Sequence, residues 1–166
     1  MLKPAITLLV VTFLATPVPG WRPLRWNITV AETQAAVPSS KPADAGDQDR
    51  ATGPLTKVRL RTRTTFLGSR FAVFYEFSSG RTFAVERLTR ISLHMVPYDG
   101  RRTGPLIRDL TSRYGAPSED LAESGVRHVT WEHDHEWITL SEMKAETGVG
   151  NAPLLSIVFQ PAPAQK

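Results

Sequence analysis

The residues of this chain that are best suited to hold a ligand form a row of arginines. Arg59, Arg61 and Arg63 recur at every second position, and Arg70 follows a short way further on. Guanidinium groups bind carboxylates and phosphates through paired hydrogen bonds, so this row could hold an anionic polymer, a lipid headgroup or an acidic protein. Cations on an exposed strand also prevent sheets from pairing edge to edge. Both interpretations fit the pattern.

A second candidate site is a run of metal-binding side-chain types at a predicted hairpin tip. His133, Asp134 and His135 are consecutive, and imidazole and carboxylate are the ligand types of zinc, copper or nickel. Neighbouring residues of a strand point to opposite faces, so only a loop conformation would bring the three together. The alternative is a solvated polar tip.

Motifs of common enzyme chemistry do not occur in the chain. There is no Gly-rich phosphate loop, no Gly-x-Ser-x-Gly and no His-Glu-x-x-His, and without cysteine there is no thiol nucleophile, thiolate metal site or disulfide. We therefore expect a non-enzymatic protein without a cofactor, and a small hydrolase is the less favoured alternative. A ligand pocket between helix and sheet, lined by Tyr75, Tyr98, Phe74 and Trp137, is a further possibility.

The charge pattern limits the kinds of partner. The net charge is +4, yet 16 acidic residues are interspersed with 20 basic ones. Only Phe74 could stack beside the arginines, so we expect no nucleic-acid partner. An envelope protein or an anionic surface is the partner that this pattern favours, and we expect a monomer.

One helix is predicted between Thr103 and Pro117. Pro105 suits a first helical turn, with Thr103 or Gly104 as the cap, while Gly115 and Pro117 end the helix. Its apolar residues fall on one helical face: Leu106, Ile107, Leu110 and Tyr114.

The strands that this helix would cover lie on both sides of it. Residues 56–66 alternate in polarity, and Gly68-Ser69 would be the centre of a type II′ turn that sets Phe66 opposite Phe71. A third strand changes phase at Leu88, which indicates a bulge or a break. After the helix, a hairpin turning at Asp134-His135 sets Trp131 against Ile138 and Val129 against Leu140, and a last strand spans Leu155 to Phe159. The predicted fold class is α+β, with an antiparallel sheet of about six strands in the order β-β-β-α-β-β-β packed on one helix.

The chain also divides by composition. Residues 1–20 are typical of a signal peptide, with cleavage after Gly20 or alternatively after Ala35 or Ala36, so a periplasmic or secreted protein without a transmembrane span after cleavage is expected. Residues 21–55 have the composition of a flexible, disordered segment. Residues 56–160 would form the single α+β domain, and residues 161–166 a disordered tail.

The run Leu110 to Pro117, the later Trp131, and the strand residues Ile138-Thr139-Leu140 together resemble small exported bacterial α+β domains. In these domains a helix ending in Tyr-Gly-x-Pro is followed by a strand with Trp and a strand with Ile-x-Leu. The resemblance covers roughly residues 71–160. It implies a fold and an extracytoplasmic compartment, and it carries over no catalytic residue.

Overall fold

The computed structural model describes residues 24–51, 55–79, 85–144 and 152–162. The signal peptide expected in residues 1–20 lies outside the described residues, as does most of the tail expected in residues 161–166. Within the described ranges, no helix is both long and apolar enough to cross a membrane.

The described residues form an eight-stranded antiparallel sheet with two α-helices, in the class α+β that the sequence predicts. The strand order across the sheet is β1-β2-β3-β4-β8-β7-β6-β5. The strands are β1 (Lys41–Pro42), β2 (Thr56–Phe66), β3 (Ser69–Ser78), β4 (Arg87–Met95), β5 (Glu119–Glu123), β6 (Val126–His133), β7 (Glu136–Met143) and β8 (Leu154–Pro161). The helices are α1 (Val30–Ala36) and α2 (Thr103–Tyr114).

The prediction of about six strands and one helix is corrected, because the part of the chain that the structure describes already contains eight strands and two α-helices. The added strands are the two sheet edges, β1 and β5. Strand β1 has two residues, and every residue of β5 is exposed. A strand that buries no side chain has no reason to alternate apolar with polar residues, so periodicity does not reveal it.

Helix α2 covers the core, as predicted. Leu106, Leu110 and Tyr114 are buried, Ile107 is partly buried, and Gly115 follows the helix with φ +89°. The predicted cap is wrong, because the N-cap is Arg102 and it makes no side-chain cap hydrogen bond.

The hydrophobic core lies on one face of the sheet. One cross-strand row joins Val73, Leu93, Ile157, Leu140 and Val129, all with no exposed surface. The adjoining row consists of Arg63, Ala72, His94, Ser156, Ser141 and His128 on the opposite face. We call this opposite side the outer face.

Turn geometry sets the register of both hairpins. The predicted pairs Trp131 with Ile138 and Val129 with Leu140 are confirmed across β6 and β7. The predicted β2–β3 register is wrong, because Leu67 and Gly68 form the turn and Phe66 lies opposite Ser69. Both turn residues have positive φ, 48° and 71°, which is the pattern of a type I′ turn.

The phase change predicted at Leu88 is confirmed as a bulge. Glu76 pairs with Arg90 whereas Phe77 pairs with Leu88, so Thr89 is the extra residue of β4. The bulge keeps Leu88 in the core.

Residues 24–51, which we call the N-terminal strap, pack on the sheet, in contrast to the flexible segment that composition favours for residues 21–55. Thr29 caps α1 in a capping box with Glu32, and Leu24 and Trp26 are buried in the core. The strap continues through β1 into a 3₁₀-helix, Ala45–Arg50. Compositional averages miss such a segment, because a few buried anchors and two helix caps hold it.

Candidate functional site

The structure separates the four predicted arginines into different environments. Arg59 lies at a bulge of β2 between Val58 and Leu60, and its Nε and Nη2 atoms donate to the two carboxylate oxygens of Glu86 at 2.7 and 2.6 Å. This bidentate contact holds the pKa of Glu86 below its usual range and raises that of Arg59. Arg59 is therefore already matched by an internal carboxylate.

Arg61 also has internal partners, and both belong to the strap. Its Nη1 atom lies 2.7 Å from Oδ2 of Asp44 and 3.2 Å from Oδ2 of Asp47. The Arg61 side chain is still 43% exposed, so solvent and a ligand can reach it.

Arg63 and Arg70 are the two predicted site residues that stay available. Both are exposed, and neither has an ion-pair partner in the part of the chain that the structure describes. Arg63 lies opposite Ala72, and Arg70 lies opposite Thr65 one outer-face row further on. The two residues therefore occupy diagonal positions on one hairpin.

Two open grooves flank these arginines on the β2–β3 hairpin. The first has a volume of about 520 Å³, and its lining includes Lys41, Arg61 and Phe74. The second has a volume of about 470 Å³, and its lining includes Arg70 and is completed by residues 96 and 97 after β4. Arg63 and Ala72 line both grooves. We call the two together the arginine groove, whose cations are Lys41, Arg61, Arg63 and Arg70.

The floor of the arginine groove is apolar and aromatic. Phe74 is 5% exposed, and its ring meets the His94 ring edge-on at a centroid distance of 5.1 Å. Ser39 and Thr62 add hydroxyl groups at the strap side. Such a surface offers cations beside an apolar floor, which suits an extended ligand with repeated charges.

The hairpin tip places only two of the three predicted metal-binding side chains together. Nε2 of His133 lies 3.2 Å from Oδ2 of Asp134. Asp134 and His135 are the turn residues, with φ 47° and 65°. Within the described ranges, no three His, Asp or Glu side chains are arranged as metal ligands. The His133 ring instead packs against Tyr114 at a centroid distance of 5.4 Å.

The aromatic pocket that the sequence suggests does not form as one site. Tyr75 points into the core with no exposed surface, whereas its neighbour Phe74 lies on the outer face. The Tyr98 hydroxyl donates to Oε1 of Glu142 at 3.1 Å, and Trp137 belongs to the outer face beside Gln160.

Sequence reasoning missed a buried carboxyl group at the start of β7. Glu136 is 1% exposed, and Nε1 of Trp26 donates to its Oε1 atom at 2.6 Å. Its Oε2 atom is buried without a hydrogen-bond partner in the described part of the chain. The pKa of Glu136 is raised from 4.5 to about 7, chiefly by burial; the hydrogen bond from Trp26 opposes the rise, and the nearby charge of Asp134 adds to it. The only sequence signal was an acid beside a hairpin turn, a position that is usually exposed.

A second buried acid, Glu142, fixes the start of α2. Its Oε1 atom accepts from Oγ1 of Thr103 at 2.7 Å as well as from Tyr98. The hydroxyl expected to cap the helix is therefore used to attach the helix to β7.

Comparison with family models, with curated proteins and with solved structures found no match for this chain.

Proposed function

We propose that this protein is an exported, non-enzymatic binding module that holds an anionic chain of the cell envelope in the arginine groove. The observation that carries the proposal is the pair Arg63 and Arg70, two exposed arginines at diagonal positions of one hairpin, without an ion-pair partner in the described residues. Like charges on adjacent strands repel each other, so an anion that bridges them gains from both.

The shape of the surface favours an extended ligand. Two grooves adjoin at Arg63 and Ala72, and cations lie along both, from Lys41 to Arg70. A chain that repeats carboxylate or phosphate groups could contact several of these cations at once, with an affinity that falls as salt rises. The envelope location is supported by the signal-peptide pattern of residues 1–20, and a mature chain beginning at Trp21 in the native host would test it.

The decisive experiment is a binding titration with fluorescently labelled polyglutamate and polyphosphate at low and at physiological salt. Arg63→Gln with Arg70→Gln should weaken binding about tenfold or more, because two charge-assisted contacts are lost. Arg108→Gln is the control, since Arg108 is an exposed cation of α2 away from the outer face. It should change affinity much less.

Two results would contradict the proposal. Equal affinity of the wild type and the double variant would show that the groove is not the binding surface. Binding only to vesicles that contain anionic lipid, and to neither polymer, would show that the ligand is a headgroup and not a chain.

A further inference from the structure

We infer that the N-terminal strap is an internal competitor for the arginine groove, with Asp44 and Asp47 occupying Arg61 in place of a ligand's anionic groups. The inference rests on the proposed function, because it concerns the regulation of that same groove. An anionic chain would bind Arg61 only after displacing these two carboxylates.

The strap presents both carboxylates through a reciprocal cap. The backbone N–H of Asp47 donates to Oδ1 of Asp44 at 3.2 Å, and the N–H of Asp44 donates to Oδ2 of Asp47 at 3.0 Å. These bonds leave Oδ2 of Asp44 for Arg61 at 2.7 Å, while Oδ2 of Asp47 lies 3.2 Å from the same nitrogen. Two carboxylates on one guanidinium are the arrangement that a bound anionic chain would provide.

The competition is weak enough to be reversed. The Asp44 side chain is 55% exposed and that of Arg61 is 43% exposed, so water screens their attraction. Asp47 is better buried, with 9% of its side chain exposed. A ligand that gains several contacts along the groove could therefore replace an exposed contact to Arg61 at small cost.

Displacement need not remove the whole strap. Strand β1 pairs Lys41 with Arg61, and the N–H of Ala43 donates to the carbonyl of Arg59 at 2.9 Å. The Lys41 side chain belongs to the groove lining. A shift confined to residues 44–47 would free Arg61 while Lys41 stays in place, so four cations could then contact the ligand.

The test compares polyglutamate and polyphosphate affinity between the wild type and the variant Asp44→Asn with Asp47→Asn. Asparagine keeps the side-chain oxygen that accepts the capping hydrogen bonds and removes the charge. We expect affinity to rise about fivefold, which is the size that two largely solvent-screened ion pairs support. The matched control is Asp109→Asn with Glu123→Gln, two exposed acids away from the groove that give the same change in net charge.

The gain must also depend on Arg61. Adding Arg61→Gln to the Asn variant should abolish the gain, because the released cation is then absent. Asp44→Asn alone, at the more exposed carboxylate, provides a milder version if the double variant unfolds, and it should give a smaller gain in the same direction.

The outcomes separate this inference from the proposed function. Unchanged affinity in the Asn variant, or the same gain in the control variant, overturns the competition while the groove remains a binding site. If neither the wild type nor the Asn variant binds either polymer, both the inference and the proposed function are overturned. A gain that requires Arg61 and exceeds that of the control supports both.

Discussion

Replacing Glu136 with Gln should remove a loss of stability that the wild type shows as the pH rises to neutrality. Glu136 is 1% exposed and accepts one hydrogen bond, from Nε1 of Trp26 at 2.6 Å. Its carboxyl group has its pKa raised from 4.5 to about 7, first by burial. Gln can accept the same hydrogen bond from Trp26 and cannot ionise, so the substitution removes the buried charge. Its NH₂ group would take the place of Oε2, which has no hydrogen-bond partner in the described residues, and this adds a cost of about 1–3 kcal/mol that does not depend on pH.

The sign of the pH dependence follows from the two pKa values of this carboxyl group. Below about pH 4.5 it is protonated in both the folded and the unfolded chain, so it adds no penalty. Between pH 4.5 and about pH 7 the unfolded chain releases its proton first, so stability falls as pH rises. Above that window the full penalty applies, and the separation of the two pKa values corresponds to about 3 kcal/mol.

The assay is urea unfolding followed by tryptophan fluorescence, at a series of pH values between about 4 and 8, for the wild type and the variant. As the pH rises through this window, the unfolding free energy of the variant should increase relative to that of the wild type by up to about 3 kcal/mol. Glu132→Gln is the control, since Glu132 is exposed on the same hairpin and should give a flat difference. A flat difference for Glu136→Gln as well would refute the account of a buried, protonated carboxyl group.

Two further predictions concern the start of α2 and the β6–β7 turn. Thr103→Val should lower the free energy of unfolding by about 1–3 kcal/mol, because buried Glu142 loses the shorter of its two hydrogen bonds. Thr111→Val in the same helix is the control, and equal losses of the two variants in urea unfolding would contradict a stabilising role for the bond between Thr103 and Glu142. His135→Gly should raise the thermal midpoint of unfolding modestly, since φ at this position is 65° and Asp-Gly suits a type I′ turn. A midpoint that is unchanged or lower, whether or not zinc is added to the sample, would show that His135 does not strain the turn.

Much of the fold could be predicted because its signals are local. The apolar face of α2 and the Asp134-His135 turn are each contained in a short stretch, and both are confirmed. The β2–β3 register was missed because Leu67 adopts φ 48°, a conformation that is uncommon for a bulky residue. Arg102 donates from Nη2 to the Leu67 carbonyl at 2.9 Å, and this contact from outside the hairpin favours the observed turn.

The candidate site was predicted only in part, because partners decide which arginines are available. The alternation of residues 59–63 shows that the side chains share a strand, and it cannot show that Glu86 pairs with Arg59. The composition of residues 21–55 predicts a flexible segment, so it gives no reason to expect Asp44 and Asp47 beside Arg61. Their spacing, Asp44 with Asp47, is compatible with a helix cap and was the available signal.

The two ends of the strap, one at the core and one at the arginine groove, are attached with unlike strength. At one end Trp26 is 3% exposed and donates to a buried carboxyl oxygen, and the backbone N–H of Asn27 donates to the Leu88 carbonyl at 3.0 Å. At the other end Arg61 is bound by Asp44, in an ion pair whose two side chains are largely exposed, and by Asp47 at 3.2 Å. Local opening begins where few buried contacts hold a segment, so the groove end should open first while the Trp26 end stays docked. A strap held in this way can expose Arg61 to a ligand without uncovering the hydrophobic core.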